Sequence, residues 1–456
     1  MRRLARFVTE SYFEDLSENA VSQLKIRVLD ALGCAVGALD AEPIRMLYAQ
    51  LVDFGGNARC TLIGGGETAP DLAAFYNGAL VRYLDFNDAY LAKGETCHPN
   101  DNVAPVLAAS EYAKAKGRNF LVALAVAYQI QCRLSDEAPV RGKGFDHTVQ
   151  GSYAIAAGVS KALGFNLEKT ANAIAISGTA LNALRVTRTG TLSHWKGLAY
   201  PYAAFGATHI AFLAMRGITG PQEVFEGNKG FMDSIAGKFE IDWSAENLER
   251  VNRTILKRYN AEIHSQSTIE GILELEAEAK FTANDIDKIE IQVFDVAYNI
   301  IGGGEEGDKT EVKTKEQADH SLQYITAVAL LDHQVMPEQY SPDRIMRDDV
   351  QRLLRKIVVT PRQDFSKRFP NEMPCHLEVR LKDGRVFEKE KRDYEGFFTR
   401  PMSWKQAVGK FDRLSAPHLD GSLREDIINT VGRMEDVNVT DLTRLLELIP
   451  GNKIGL

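Results

Sequence analysis

The sequence predicts a mainly α protein, with a large all-helical domain formed by both chain ends and a smaller α+β domain inserted between them. Three observations carry this expectation. Long Ala-rich segments fill residues 1–260, alternating β-type runs appear only between about 280 and 392, and helical patterns resume from about 403. At 456 residues the chain exceeds the size at which one hydrophobic core stops growing, so two domains are expected. We place the helical domain at 1–264 and 398–456, and the inserted domain at 265–397.

Ser17-Glu18 opens the first long helix, which runs through IRVLDALGCAVGAL with apolar residues at helical spacing. Helices follow over 103–116, 119–132, 151–163, 170–184 and 198–215, several of them apolar nearly all round, as helices inside a large bundle are. Gly117, Gly164 and Gly217 stand just past three of these, where a left-handed cap is expected. The texture then changes. IDKIEIQVFDV (286–296) and KIVVTP (356–361) read as strands, and CHLEVRLKDGRVFEKEKR (375–392) as a hairpin turning at Asp383-Gly384, with a helix over 318–332 between them.

Composition narrows the function classes. With 45% hydrophobic and 25% charged residues the chain is an ordinary globular sequence, and a net charge of −8 argues against a nucleic-acid partner. The five cysteines are odd in number and far apart, with no C-x-x-C pair. They fit a reducing compartment, the cytoplasm, and support neither a zinc ribbon nor an iron–sulfur run. The start, MRRLARFVTESYF, lacks the apolar core of a signal peptide, and no uninterrupted apolar run approaches the roughly 20 residues that span a bilayer, so no membrane partner is expected. P-loop, dinucleotide, zincin and nucleophile-elbow motifs are absent.

The most informative feature is a missing residue type. From Lys169 through Gln222 there is no Asp or Glu in 54 residues, where the overall share of 62 acids in 456 predicts about seven. Lys169, Arg185, Arg188, Lys196 and Arg216 remain. Buried helices exclude charges of both signs, so the retained cations need partners: structural carboxylates, or an anionic ligand held by arginine forks and lysine charges. Four histidines lie in polar, turn-like settings: His98 in ETCHPND, His147 in GFDHTVQG, His194 in LSHWKG and His264 in AEIHSQS. Imidazole suits proton transfer near neutral pH, although any one of these taken alone is more often structural. His98 and His147 precede Ala-rich helices, which puts both near helix N-termini. Asp85 and Asp88 in YLDFNDAYL would share a face if helical, where one could orient a histidine, or serve as cap and exposed charge. KRYNAEIHSQS brings Lys257 and Arg258 beside His264 at the expected domain junction, and Tyr324 sits on the 318–332 helix, as packing or as a hydroxyl donor.

Taken together, VLDALGCAVGAL, YLDFND with HP at 98–99, FDHTVQG, HWKG, GITGPQEVFEGNKGF, KRY at 257–259, HSLQY and RPMSW followed by KF resemble the MmgE/PrpD family along nearly the whole chain. That family includes 2-methylcitrate dehydratase, cis-aconitate decarboxylase and iminodisuccinate epimerase. The resemblance implies that the α+β domain is a lid, that the protein is a homodimer, and that its chemistry needs no metal or organic cofactor. It implies acid/base and carboxylate-binding roles for Asp85, His98, His147, Lys196, Lys257 and Tyr324. Arg188, His194, Arg258 and His264 are substrate-binding candidates from their own polar and cationic settings. Three features depart from the family pattern: Ala89 where Thr is common, a longer KGETCHP loop, and Asn260 where Pro commonly follows. The expected activity is a lyase acting on a small di- or tricarboxylate, most simply dehydration of 2-methylcitrate by His98 and His147. Decarboxylation of a cis-aconitate-type acid, epimerisation of an iminodisuccinate-type acid, and non-catalytic polycarboxylate binding are the alternatives.

Overall fold

A computed structural model describes residues 1–190 and 192–451. Among these, the helices of nine residues or more are α1 (Arg2–Glu10), α2 (Glu18–Gly37), α3 (Glu42–Phe54), α4 (Pro70–Tyr83), α5 (Val103–Tyr112), α6 (Gly117–Glu137) and α7 (Thr148–Ala162). They continue as α8 (Leu167–Ala180), α9 (Trp195–Met215), α10 (Gln266–Ala279), α11 (Leu322–Asp332), α12 (Trp404–Ser415), α13 (Gly421–Gly432) and α14 (Val439–Glu447). The strands are β1 (Cys60–Thr61), β2 (Glu67–Thr68), β3 (Tyr90–Ala92), β4 (Glu95–Cys97), β5 (Ile286–Val293), β6 (Ile357–Pro361), β7 (Cys375–Leu381) and β8 (Val386–Lys391). The protein is mainly α.

Two compact units are present. The first comprises Met1–Arg188, His194–Thr254 and Ser403–Leu456; the second comprises Thr189–Ser193 and Ile255–Met402. Lys257, Arg258 and His264, which the sequence places at the end of the helical half, fall in the second unit by this division.

In the first unit, Ser17 caps α2 by accepting the Ala20 N–H. Helix α6 is buried on nearly every face from Phe120 to Leu134 and packs on α7, while α4 lies against α5 and α9. Such all-round burial explains why these helices are Ala-rich: small side chains let backbones approach on several sides at once. The carboxyl-terminal helices belong to the same core. Lys410 on α12 reaches 2.6 Å from Asp30 Oδ1 on α2, donates to the Phe86 carbonyl at 2.7 Å, and lies 3.8 Å above the centre of the Phe86 ring. A buried ammonium held by a carboxylate, a carbonyl and a ring face satisfies its charge entirely inside the unit.

Gly164 and Gly217 follow α7 and α9 with φ of +67° and +99°, as expected of left-handed caps. Gly117 does not cap a helix. The left-handed residue after α5 is Lys114, with φ of 51°. Gly117 instead opens α6, donating to the Val437 carbonyl at 2.8 Å, and a Cβ there would lie 1.7 Å from the Met434 carbonyl oxygen. Helix α9 also corrects an expectation. By length and composition it is long and apolar enough to cross a membrane, with 56% of its apolar window buried in the fold.

In the second unit the sheet order is β6–β5–β7–β8, with β5 parallel to β6 and antiparallel to β7, and β7–β8 a hairpin. Ile289 pairs with Val379 and Ile291 with Leu377, so the alternating apolar residues share one buried face. Helix α10 packs on β7, β8 and α11. The expected strands and hairpin therefore form where the period-2 pattern puts them.

The Gly117 contact gives a test. Gly117→Ala should destabilise the protein by ~1–3 kcal/mol, the usual cost of forcing a methyl into close-packed surroundings, read as a lower urea midpoint. An unchanged midpoint would show that the α6 start and the 434–437 backbone are not held this closely.

Candidate active site

The first unit gathers its polar groups where helices begin and end. Helix α4 stops at Tyr83, and Asp85 adopts a left-handed conformation with φ of 53°. Asp85 and Asp88 therefore do not share a helical face. Asp85 accepts from Arg82 Nη1 at 2.7 Å and lies 3.2 Å from Lys196 Nζ, at the start of α9. The β3–β4 ribbon, pairing Tyr90 with Cys97, then returns the chain so that His98 stands beside Asp88. His98 Nδ1 is 2.7 Å from the Asp88 carbonyl. A carbonyl can only accept, so Nδ1 carries the proton, and in the neutral ring the lone pair is on Nε2.

The Asp88 carboxylate accepts from the Asn100 N–H at 2.9 Å and from the Tyr128 hydroxyl at 3.0 Å. Complete burial pushes it up to about 7, against the opposing pull of Arg27 and the Asn100 N–H. Asp101 behaves alike. Burial raises it to about 7, although Arg82 Nε lies 3.7 Å away and Asn87 donates to it at 2.7 Å.

His147 is the N-terminal neighbour of α7, and its ring meets His98 edge-on with centroids 5.5 Å apart. On another side it stacks on Tyr200 at 5.8 Å, whose hydroxyl is 3.1 Å from both Asn102 Oδ1 and Gln131 Oε1. Gly151 on α7 makes room for that ring, since a Cβ there would lie 2.4 Å from Tyr200 Cε2. His147 is 2% exposed, and neither ring nitrogen has a hydrogen-bond partner among the described residues. Burial lowers its pKa to about 3 despite the neighbouring Asp146 carboxylate, and Arg188, Arg82 and Arg185 push the same way, so the ring is neutral near pH 7.

Asp146 is held from the far side. Arg188 donates from Nε at 2.6 Å and Nη2 at 3.4 Å, Arg185 Nη1 lies at 3.9 Å, and Asp146 donates its own N–H to the Ala183 carbonyl at 2.9 Å. Burial alone would raise this carboxyl, but the Arg188 charge and hydrogen bond together with the Arg185 charge outweigh it and hold it below the usual range. Arg188 also reaches the Lys196 carbonyl at 3.4 Å, which joins the two halves of the cluster. Thus three cations of the acid-free stretch, Arg185, Arg188 and Lys196, do find carboxylates, Asp146 and Asp85, contributed by segments outside it.

Asp85, His98, His147, Arg188 and Lys196 are therefore brought together in the first unit. His194 is exposed, at the N-cap of α9. In the second unit Lys257 is fully buried, while Arg258 pairs with Glu395 and, at 3.4 Å, with Glu270. His264 is buried against Glu262, 2.7 Å from Nδ1. Tyr324 is fully buried and its hydroxyl donates to the Gln339 carbonyl, a packing arrangement rather than an available donor. Sequence reasoning passed over Asp146, Arg82, Asp101 and Tyr200. The acid directly before His147 in FDHTVQG was the available signal for the first. Two surface cavities of about 690 and 490 Å³ lie along α1 and residues 239–248, and none of the cluster residues lines them.

Comparison with known proteins bears on this geometry. The MmgE/PrpD N-terminal domain matches residues 2–244 and the MmgE/PrpD C-terminal domain residues 259–436. The chain is 26% identical over 479 residues to cis-aconitate decarboxylase of Mus musculus, covering 97% of this chain and 94% of the relative. It is 29% identical over 367 residues to 2-methylcitrate dehydratase of Escherichia coli, covering 74% and 72%. The mitochondrial 2-methylcitrate dehydratase of Yarrowia lipolytica is 28% identical over 405 residues, covering 83% and 76%.

The raised Asp88 carboxyl predicts a pH signature. A carboxyl whose folded value, about 7, exceeds its ordinary 3.8 contributes stability that is complete below the unfolded value and is lost as pH rises through the folded one. Asp88→Asn removes that titration. Measured by urea midpoints from about pH 4 to about pH 8, the variant should gain on the wild type as pH rises, and parallel profiles would contradict the assignment.

Proposed function

The chain belongs to the MmgE/PrpD family, and from that premise we propose that it is a cofactor-independent lyase acting on a small polycarboxylate, dehydrating 2-methylcitrate or a related hydroxy-tricarboxylate. One observation carries the reading: a buried, neutral imidazole, His147, with both nitrogens unpartnered, set edge-on to a second imidazole of fixed tautomer. Buried polar atoms are normally satisfied, and orphaned ones mark places where a ligand completes the bonding. Arg82, Arg185, Arg188 and Lys196 stand in the cluster with Asp85, Asp101 and Asp146, and these fixed cations support an anionic substrate.

Removing a proton beside a carboxylate adds negative charge to an anion, and fixed cations in a poorly hydrated site stabilise that charge as it develops. His147, kept neutral, takes the C–H proton. His98, entering the step with both ring nitrogens protonated, gives its Nε2 proton to the departing hydroxyl and is left as the Nδ1–H tautomer, so that water leaves and a carbon–carbon double bond forms. In the first unit Asp85 orients Lys196, which holds a substrate carboxylate, and His194 is assigned a substrate contact; in the second unit Lys257, Arg258 and His264 are assigned carboxylate binding. The names of the relatives support dehydration and decarboxylation alike, and both pass through a carbanion-like intermediate.

Purified protein incubated with 2-methylcitrate, cis-aconitate and iminodisuccinate-type acids, with products read by mass and NMR, tests this directly. Loss of water from 2-methylcitrate is expected. Carbon dioxide or inverted stereochemistry would reassign the reaction, and tight binding of these acids with no turnover would favour a binding protein. His98→Ala and His147→Ala should each lower turnover by roughly 10²–10⁴-fold with the fold retained. Full activity in either folded variant removes that residue from the mechanism.

We also propose a homodimer in the cytoplasm. The five free, buried cysteines support a reducing compartment. On α9, Trp195 and Tyr202 are 45% and 48% exposed with rings 5.6 Å apart, and Tyr202 continues into Phe205 and Phe75. This uncharged aromatic stripe lets two copies of a chain of net charge −8 meet without repulsion. Light scattering should report a dimer for the wild type and a monomer for Tyr202→Glu; a monomeric wild type, or an unaffected dimer, rejects the surface.

A further inference from the structure

Within the second unit, Glu262 and His264 form a closed arrangement in which Glu262 has no assigned part in the reaction. Glu262 caps the short turn Ile263–Ser265. One of its oxygens accepts the His264 backbone N–H at 2.7 Å, and the other lies 2.7 Å from His264 Nδ1. A single carboxylate thus grips one residue by main chain and side chain together. Glu262 is itself anchored, its N–H donating to the Asp319 carbonyl at 3.1 Å and its carbonyl accepting from the Ser265 hydroxyl at 2.6 Å.

The imidazole is 2% exposed and packs against the stacked pair Phe294 and Phe369, with ring centroids at 5.5 and 5.8 Å. Its Nε2 is buried without a hydrogen-bond partner among the described residues. Burial acts to raise the Glu262 carboxyl, but its hydrogen bonds to His264 and the nearby charge of Lys257 lower it, so it is ionised and can only accept. The proton of the neutral ring is therefore on Nδ1 and the lone pair on Nε2. A structural histidine packed against aromatic rings needs neither a two-point carboxylate grip nor an orphaned nitrogen.

We propose that Glu262 is a positioning residue acting through His264: it fixes the Nδ1-protonated tautomer and aims the Nε2 lone pair as a hydrogen-bond and proton acceptor for a protonated or hydroxyl-bearing group of the substrate. The kinetic half of this rests on the lyase reading; the tautomer does not. Glu262→Gln nearly preserves size and keeps an oxygen to cap the turn, but its amide can donate to Nδ1 and so favours the opposite tautomer, as replacing the orienting carboxylate does in a Ser-His-Asp triad.

The experiment combines two readouts on the full-length protein. Histidine-selective ¹⁵N NMR, with His264 identified by its absence in His264→Gln, should show a protonated Nδ1 and an unprotonated Nε2 in the wild type, reversed or averaged in Glu262→Gln. On whichever acid of the panel is turned over, Glu262→Gln should lower kcat by roughly 10–100-fold, the usual effect of losing a group that orients a functional histidine. Glu262→Gln/His264→Gln should be no slower than His264→Gln alone. A wild-type Nε2-protonated ring overturns the proposal, as does a Glu262→Gln loss that adds in full to that of His264→Gln. If no acid is turned over, the lyase reading fails and the NMR result alone decides the tautomer.

Discussion

The buried pair of Asp146 and Arg188 is the contact on which the first unit's site depends. Asp146 has no exposure, and a carboxylate taken from water must recover its hydration energy from fixed partners. Arg188 supplies two donors and Arg185 further charge, while the Asp146 N–H ties the strand-like segment near Ala183 to the start of α7. Deleting one member of such a pair typically costs ~3–5 kcal/mol, because the survivor is left as an uncompensated charge. The pair therefore fixes His147 at the head of α7. The arginines also work on the imidazole electrostatically, adding to burial in keeping it neutral.

Around that anchor, one element type produces opposite outcomes for chemically identical groups. Asp88 and Asp101 rise to about 7, whereas Asp146 falls below the ordinary carboxylate range. All three are fully buried, so desolvation does not separate them. The separation comes from the partners: Asp146 receives a direct two-donor arginine contact, while Asp101 has Arg82 Nε at 3.7 Å and Asp88 has neutral donors together with the like charge of Asp30. Environments that split carboxyl groups in this way are how acid and base functions coexist in one cleft.

Much of the fold was legible because its signals are local. Period-2 alternation marks β5 and the β7–β8 hairpin, and all-round apolar composition marks α5 to α9, since each pattern reports the burial of a single element. Gly117 was misread because a glycine after a helical run looks the same whether it supplies a positive φ or admits a neighbouring backbone; here it admits residues 434–437, more than three hundred positions away. The site divided along the same line. His98 and His147 stood out as histidines in polar turns, and their convergence through the β3–β4 ribbon follows from short-range pairing. The partners of Arg188 and Lys196 were illegible, because an acid-free stretch says that its cations lack nearby acids and nothing about which distant ones they meet. Asp85 was misplaced for a further reason: its left-handed conformation ends the helix that the spacing to Asp88 suggested.

Two imidazoles of this chain present Nε2 by the same device with different chemistry behind it. His98 donates Nδ1–H to a main-chain carbonyl, and His264 donates to the carboxylate of Glu262. Both bonds fix the tautomer, because neither acceptor can give a proton back. Only Glu262 adds a full negative charge, which stabilises the protonated ring as it forms, whereas the Asp88 carbonyl supplies a dipole. His264 is thereby suited to accept a proton firmly. His147, with no hydrogen-bond partner on either nitrogen among the described residues, stands apart from both: its tautomer is free to answer to whatever occupies the site.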